Sequence, residues 1–87
     1  MNIIDLKDIQ RTDSPIYYRR FYSGILLIEI MAKVVERKID FKIEMMPTGK
    51  KDISITFEQP VDYPLVPLMR ELKKYLEELD RSGGLPV

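Results

Sequence analysis

Cysteine and histidine are both absent from these 87 residues, and each absence removes a body of chemistry. Without cysteine there can be no disulfide, no thiolate metal ligand and no cysteine nucleophile. Without histidine the usual general base near neutral pH, the commonest transition-metal ligand and the usual triad base are missing. Most hydrolytic and zinc chemistry is thereby set aside, and no cofactor, no metal and no catalytic constellation is expected. Net charge is lacking as well. Lys plus Arg number 14 and Asp plus Glu number 14, so no whole-protein field draws in nucleic acid, anionic lipid or an acidic substrate. The first residues, Asn2-Ile-Ile-Asp-Leu-Lys-Asp8, have no basic stretch leading into an apolar one and do not read as a secretory signal. The longest apolar run, Gly24 to Ala32, is interrupted by Glu29 and is too short to cross a bilayer. There is no repeat and no low-complexity segment. A disulfide-free cytoplasmic protein without membrane contact is the expectation.

What is present is clearest between Ile39 and Glu58. Ile39, Phe41, Ile43 and Met45 alternate with Asp40, Lys42 and Glu44, and Ile53, Ile55 and Phe57 alternate with Ser54, Thr56 and Glu58. Side chains alternate across a strand, so each arm has one apolar and one polar face. Met46-Pro-Thr-Gly-Lys50 between them reads as a hairpin turn, with Gly49 supplying a positive φ. A phosphate loop needs a glycine where Glu44 stands, Ser or Thr where Lys51 stands, and a following helix, so the Gly49-Lys50 pair does not qualify. A lone hairpin is marginal in water, and its apolar face demands a cover.

The remaining pattern predicts two helices. Tyr17, Phe21, Gly24, Ile25, Ile28, Met31, Ala32 and Val35 recur at intervals of three and four, which fits one amphipathic helix over about 15–38, opened by Ser14 and Pro15. Aromatic β-propensity supports a competing reading of this segment, with Tyr17 to Tyr22 as a strand and Ser23-Gly24 as a turn. Gly24 costs a helix about 1 kcal/mol relative to Ala, which implies a close backbone approach there. Leu65, Leu68, Met69, Leu72, Tyr75, Leu76 and Leu79 form a second helical stripe over about 65–81, starting late because Pro64 and Pro67 lack amide donors. Ser82-Gly83-Gly84 stops it, leaving residues 82–87 as a flexible C-terminal tail. Residues 2–9 fit a short edge strand with Ile4 and Leu6 inward, or a helical turn. The expected fold is therefore a single α+β domain spanning residues 1–87: a small antiparallel sheet (hairpin 39–58, with an N-terminal edge strand as an option) and both helices packed on one of its faces.

Two features point to association rather than catalysis. On the expected long helix, Leu27, Ile30 and Val34 make a second apolar row suited to self-association, and a short sheet leaves an unpaired edge that a second copy could complete. A homodimer is expected, with a protein partner as a further option. Tyr18, Arg19, Arg20 and Tyr22 interleave aromatics with arginines and are candidates for binding that partner. The same composition suits nucleic acid, with Arg19, Arg20, Lys50 and Lys51 as contacts, although dedicated nucleic-acid binders usually carry a basic excess that this chain lacks. An enzyme working through Glu29 and Tyr22 would need both to line one pocket. The leading expectation is a small non-catalytic interaction or adaptor module.

Overall fold

Apolar side chains two residues apart, rather than three or four, organise most of the chain. The computed structural model describes residues 1–86, which form strands β1 (Asn2–Thr12), β2 (Arg19–Ile30), β3 (Lys33–Met45) and β4 (Lys51–Phe57), then helix α1 (Leu65–Arg81). The strands make one antiparallel meander in the order β1-β2-β3-β4. Tyr22, Leu26 and Ile28 of β2, Ile39, Phe41 and Ile43 of β3, Ile53 of β4 and Leu6 of β1 are buried on one face, where α1 adds Leu68, Leu72 and Leu76. Cross-strand partners Tyr22 and Phe41 stack at the centre of this core, with ring centroids 5.1 Å apart. Each fully buried leucine or isoleucine contributes about 1.5–3 kcal/mol of transfer free energy, which makes the single helix a sufficient cover for that face.

The expected long helix over 15–38 does not form. Its residues lie in β2, in the following turn and in β3, so the fold is a four-stranded sheet with one C-terminal helix rather than a hairpin under two helices. The competing division fails too, because β2 runs straight through Ser23 and Gly24. Two causes explain the difference. As an internal strand, β2 carries apolar side chains on both faces, and such a run satisfies a three-and-four spacing as readily as a two-residue one. The reversal from β2 to β3 falls on Met31 and Ala32, with φ of 51° and 65°. Both central residues of a two-residue hairpin of this kind need positive φ, which Asn-Gly usually supplies. Ser14 does not cap a helix. Its hydroxyl accepts the Ile16 amide at 3.2 Å in a tight turn that leads into β2.

β1 is interrupted by two register shifts, between Ile3 and Asp5 and between Lys7 and Gln10. The first shift turns Ile4 outward, leaving it 47% exposed while Leu6 is buried, so the expectation that both point inward holds for Leu6 alone. The second, with Asp8 at φ 52°, lies opposite Gly24. A Cβ on Gly24 would sit 3.0 Å from Leu6 Cδ1 and 3.4 Å from the Lys7 carbonyl. A close approach does exist at Gly24, between strands.

The hairpin 39–58 and the C-terminal helix form where the pattern puts them. In β3 and β4, register runs without a break from Ile39↔Phe57 to Met45↔Lys51, and Gly49 takes φ 86°. Pro67 occupies the first turn of α1, where its missing amide would have had no partner. At the other end the Gly84 amide returns to the Leu79 carbonyl at 2.8 Å and Gly83 adopts φ 80°. Within the stretch read as a flexible tail, Leu85 is 8% exposed and belongs to the core. Val87 lies outside the described residues. No described helix is long and apolar enough to cross a membrane.

Candidate interaction surface

One face of the sheet belongs to α1, and the opposite face has no layer over it. Strand alternation assigns Phe21, Ser23, Ile25, Leu27 and Glu29 of β2 to this open face, beside Val34, Glu36, Lys38, Asp40 and Lys42 of β3. The register lines them up in rows. Thr12, Phe21, Lys42 and Ser54 are successive cross-strand partners from β1 to β4, and Gln10, Ser23, Asp40 and Thr56 form the next row. A shallow hollow of about 460 Å³ follows these rows, lined by Thr12, Phe21, Asp40, Lys42, Ser54 and Thr56. Further along β2, Lys7 of β1 donates to Glu36 of β3 at 3.1 Å, reaching across the central strand. The strand partners of those two charges are Ile25 and Leu27, which are only half-buried.

The residues grouped for self-association separate on this surface. Leu27 and Val34 are diagonal neighbours on the open face, Val34 being 61% exposed, whereas Ile30 points the other way and packs against the core. The correction has a simple origin: three- and four-residue spacing unites these positions on a helix, but strand parity puts Leu27 and Ile30 on opposite faces.

The Tyr-Arg group also divides. Tyr22 is 2% exposed and part of the core. Tyr18 lies before β2, 42% exposed, with the Arg19 guanidinium 5.7 Å from its ring centroid. Arg19 is paired with Glu44. Arg20 donates to both carboxylate oxygens of Asp80, at 2.8 and 3.0 Å, and to the Tyr22 hydroxyl at 3.1 Å. Lys51 reaches the same carboxylate. Among the cations considered for nucleic acid, Arg20 and Lys51 thus do converge, but on an acid from the last turn of α1. Lys50 is exposed in the β3–β4 turn. Asp80 retains 9% side-chain exposure, and the Arg20 guanidinium, with help from Lys51, holds its pKa down to about 2 against the opposing effect of burial. A carboxylate at a helix C-terminus is disfavoured by the helix dipole, so these two cations account for its presence. The cluster clamps the end of α1 to the starts of β2 and β4. Sequence reading missed Asp80, since its spacing marks it only as part of an exposed acidic helix edge.

Tyr22 and Glu29 face opposite sides of β2, so the pocket that would join them for carboxylate and tyrosine chemistry is not formed. No cluster of three or more metal-ligating side chains occurs among the described residues.

The edges of the sheet differ in kind. Two bulges break β1, and bulges blunt an edge against further pairing. β4 has none, nor any proline. At either end of its ladder the Glu58 amide bonds to the Lys38 carbonyl at 3.2 Å and the Met46 amide to the Lys50 carbonyl at 2.8 Å. Hydrogen-bonded and non-bonded pairs alternate in antiparallel strands, so the intervening bonded residues of β4 are Asp52, Ser54 and Thr56. Lys51, Ile53, Ile55 and Phe57 therefore turn their amides and carbonyls outward, away from β3.

These features define a small α+β domain in which one helix closes one face of an open antiparallel meander. The chain belongs to the BB-0187 family, which it matches over residues 1–81. No curated protein and no solved structure matches it.

Proposed function

We propose that this protein is a small non-catalytic interaction module that works by association, as a homodimer and as a binder of protein partners through its sheet. The observation that carries the reading is the unequal treatment of the sheet. One face is sealed by α1, while the other face bears Phe21, Ile25 and Leu27 and the outer side of β4 has no strand beside it. Sheets in this condition gain hydrogen bonds and bury surface by adding a strand from another chain. A cytoplasmic setting belongs to this reading and rests on the lack of cysteine.

Support for nucleic-acid binding is weaker than the composition implies, because Arg19, Arg20 and Lys51 are each engaged by a carboxylate. The test is molar mass by light scattering over a wide range of protein concentration. The expected result is a mass that rises to twice that of the chain. A monomeric mass at every concentration would remove the self-association half of the proposal.

A further inference from the structure

We infer that two copies of this chain join through β4, antiparallel and two-fold, with Ser54 on the symmetry axis, to make one continuous eight-stranded sheet. This inference rests on the proposed association and specifies its edge, register and geometry.

The argument starts from the backbone. Lys51, Ile53, Ile55 and Phe57 hold outward amides and carbonyls, and these groups lie on alternate residues, which is the arrangement a further antiparallel strand requires. A two-fold axis normal to the sheet sets residue i of one copy opposite residue j of the other with a constant sum. Centring the axis on Ser54 pairs Lys51 with the partner's Phe57, and Ile53 with the partner's Ile55. All the outward groups of the strand then bond to their equivalents. Shifting the axis to Ile53 or Ile55 leaves one end of that row unmatched.

Side chains agree with the centred register. On the open face Ser54 meets the partner's Ser54, and Asp52 meets the partner's Thr56. Ser54, Asp52 and Thr56 are all exposed in the single copy. No like charges oppose one another. The axial position is a non-hydrogen-bonded pair, where strands approach most closely and a small hydroxyl side chain fits. On the helix-bearing face Ile53 and Ile55 meet the partner's Ile55 and Ile53, extending the apolar row beyond the cover of one helix.

The pairing also changes the open face. The row Thr12, Phe21, Lys42, Ser54 ends at the free edge of β4 in one copy. In the dimer it continues into the partner's equivalent row, and the two hollows over Phe21 become one trough centred on the Ser54 pair. A ligand groove spanning both copies would then exist only in the assembled form.

The lack of cysteine makes the register directly testable. In a non-hydrogen-bonded antiparallel pair the two Cα atoms lie about 4.5 Å apart, within the roughly 4.4–6.8 Å span of disulfides. Ser54→Cys should therefore cross-link to a covalent dimer under mild oxidation. Thr56→Cys should not, because the two thiols would be displaced by four residues, about 13 Å along the strands. Ser54→Lys should be monomeric by light scattering, as should Ser54→Asp, and an equimolar mixture of the two should recover the dimer mass. Circular dichroism melts of both charge variants verify that each still folds. A dimeric wild type in which Ser54→Cys cross-links no faster than Thr56→Cys would overturn the β4 edge and leave association standing. A wild type that is monomeric throughout would overturn both.

Discussion

Replacing Asp80 with asparagine keeps the shape of the side chain and deletes the charge that Arg20 and Lys51 share. Asp80 is 9% exposed and accepts two hydrogen bonds from one guanidinium. Its pKa falls from 3.8 to about 2 on folding, and at 1.36 kcal/mol per unit this corresponds to about 2 kcal/mol of stability at neutral pH. Asp80→Asn should lose about that much, with a further contribution because Arg20, 27% exposed, keeps its charge without a counter-ion. For a domain of this size each kcal/mol moves the thermal midpoint by roughly 4–8 °C, so a fall of about 10 °C or more is expected. The pH dependence has a definite sign. A carboxylate whose pKa is lower in the folded state stabilises above its unfolded pKa, and that stability is lost as pH falls through the folded value. Urea unfolding should therefore show wild type well above Asp80→Asn at neutral pH, with the gap narrowing as pH drops from about 4 to about 2. Asp62→Asn, at an exposed position, serves as the control. Equal urea midpoints for wild type and Asp80→Asn at neutral pH would refute the clamp, and so would a gap that persists unchanged to low pH.

Two further perturbations test the sheet. The Met31-Ala32 turn holds both residues at positive φ, a conformation that costs an ordinary L-residue on the order of 1–2 kcal/mol. Met31→Asn with Ala32→Gly should raise the unfolding free energy by about 1–2 kcal/mol, and a lowered thermal midpoint would contradict this turn geometry. Gly24→Leu drives a side chain into Leu6 and the Lys7 carbonyl. It should cost at least the 1–3 kcal/mol or so typical of overpacking, and an unchanged midpoint by circular dichroism would show that the β1–β2 approach is looser than described.

How far the fold can be read from residues depends on how many faces a strand buries. β3 and β4 are legible from Ile39 onward, because Asp40, Lys42, Glu44, Ser54 and Thr56 mark the open face at every second position. β2 is not. Its open face carries Phe21, Ile25 and Leu27, the latter two opposite Lys7 and Glu36, so apolar residues occur at both parities and the two-residue period is hidden. Met31 and Ala32 then give no sign of a turn, and the helical spacing runs on across it. β1 obscures its own period, since each bulge inserts a residue and flips the pattern.

The surface inherits these errors. Tyr18, Arg19, Arg20 and Tyr22 look contiguous in sequence, but strand geometry sends Tyr22 inward and Arg20 to Asp80, 60 positions away. Long-range partners of that kind have no local signature. The outward amides of β4 are another case. They follow from hairpin parity only once β3 is known to have β2 on its other side.

The meander has a consequence in time. Every strand pairs with the one made just before it, so during synthesis the sheet can assemble by short steps while α1, residues 65–81, is still to come. Until that helix arrives, Tyr22, Leu26, Ile28, Ile39, Phe41 and Ile43 have no cover. A nascent chain paused before Leu65 presents a sheet that is sticky on its future inside as well as along β4, and such species are prone to aggregate. Arg20 and Lys51, already in place on the sheet, stand ready for the carboxylate that closes it.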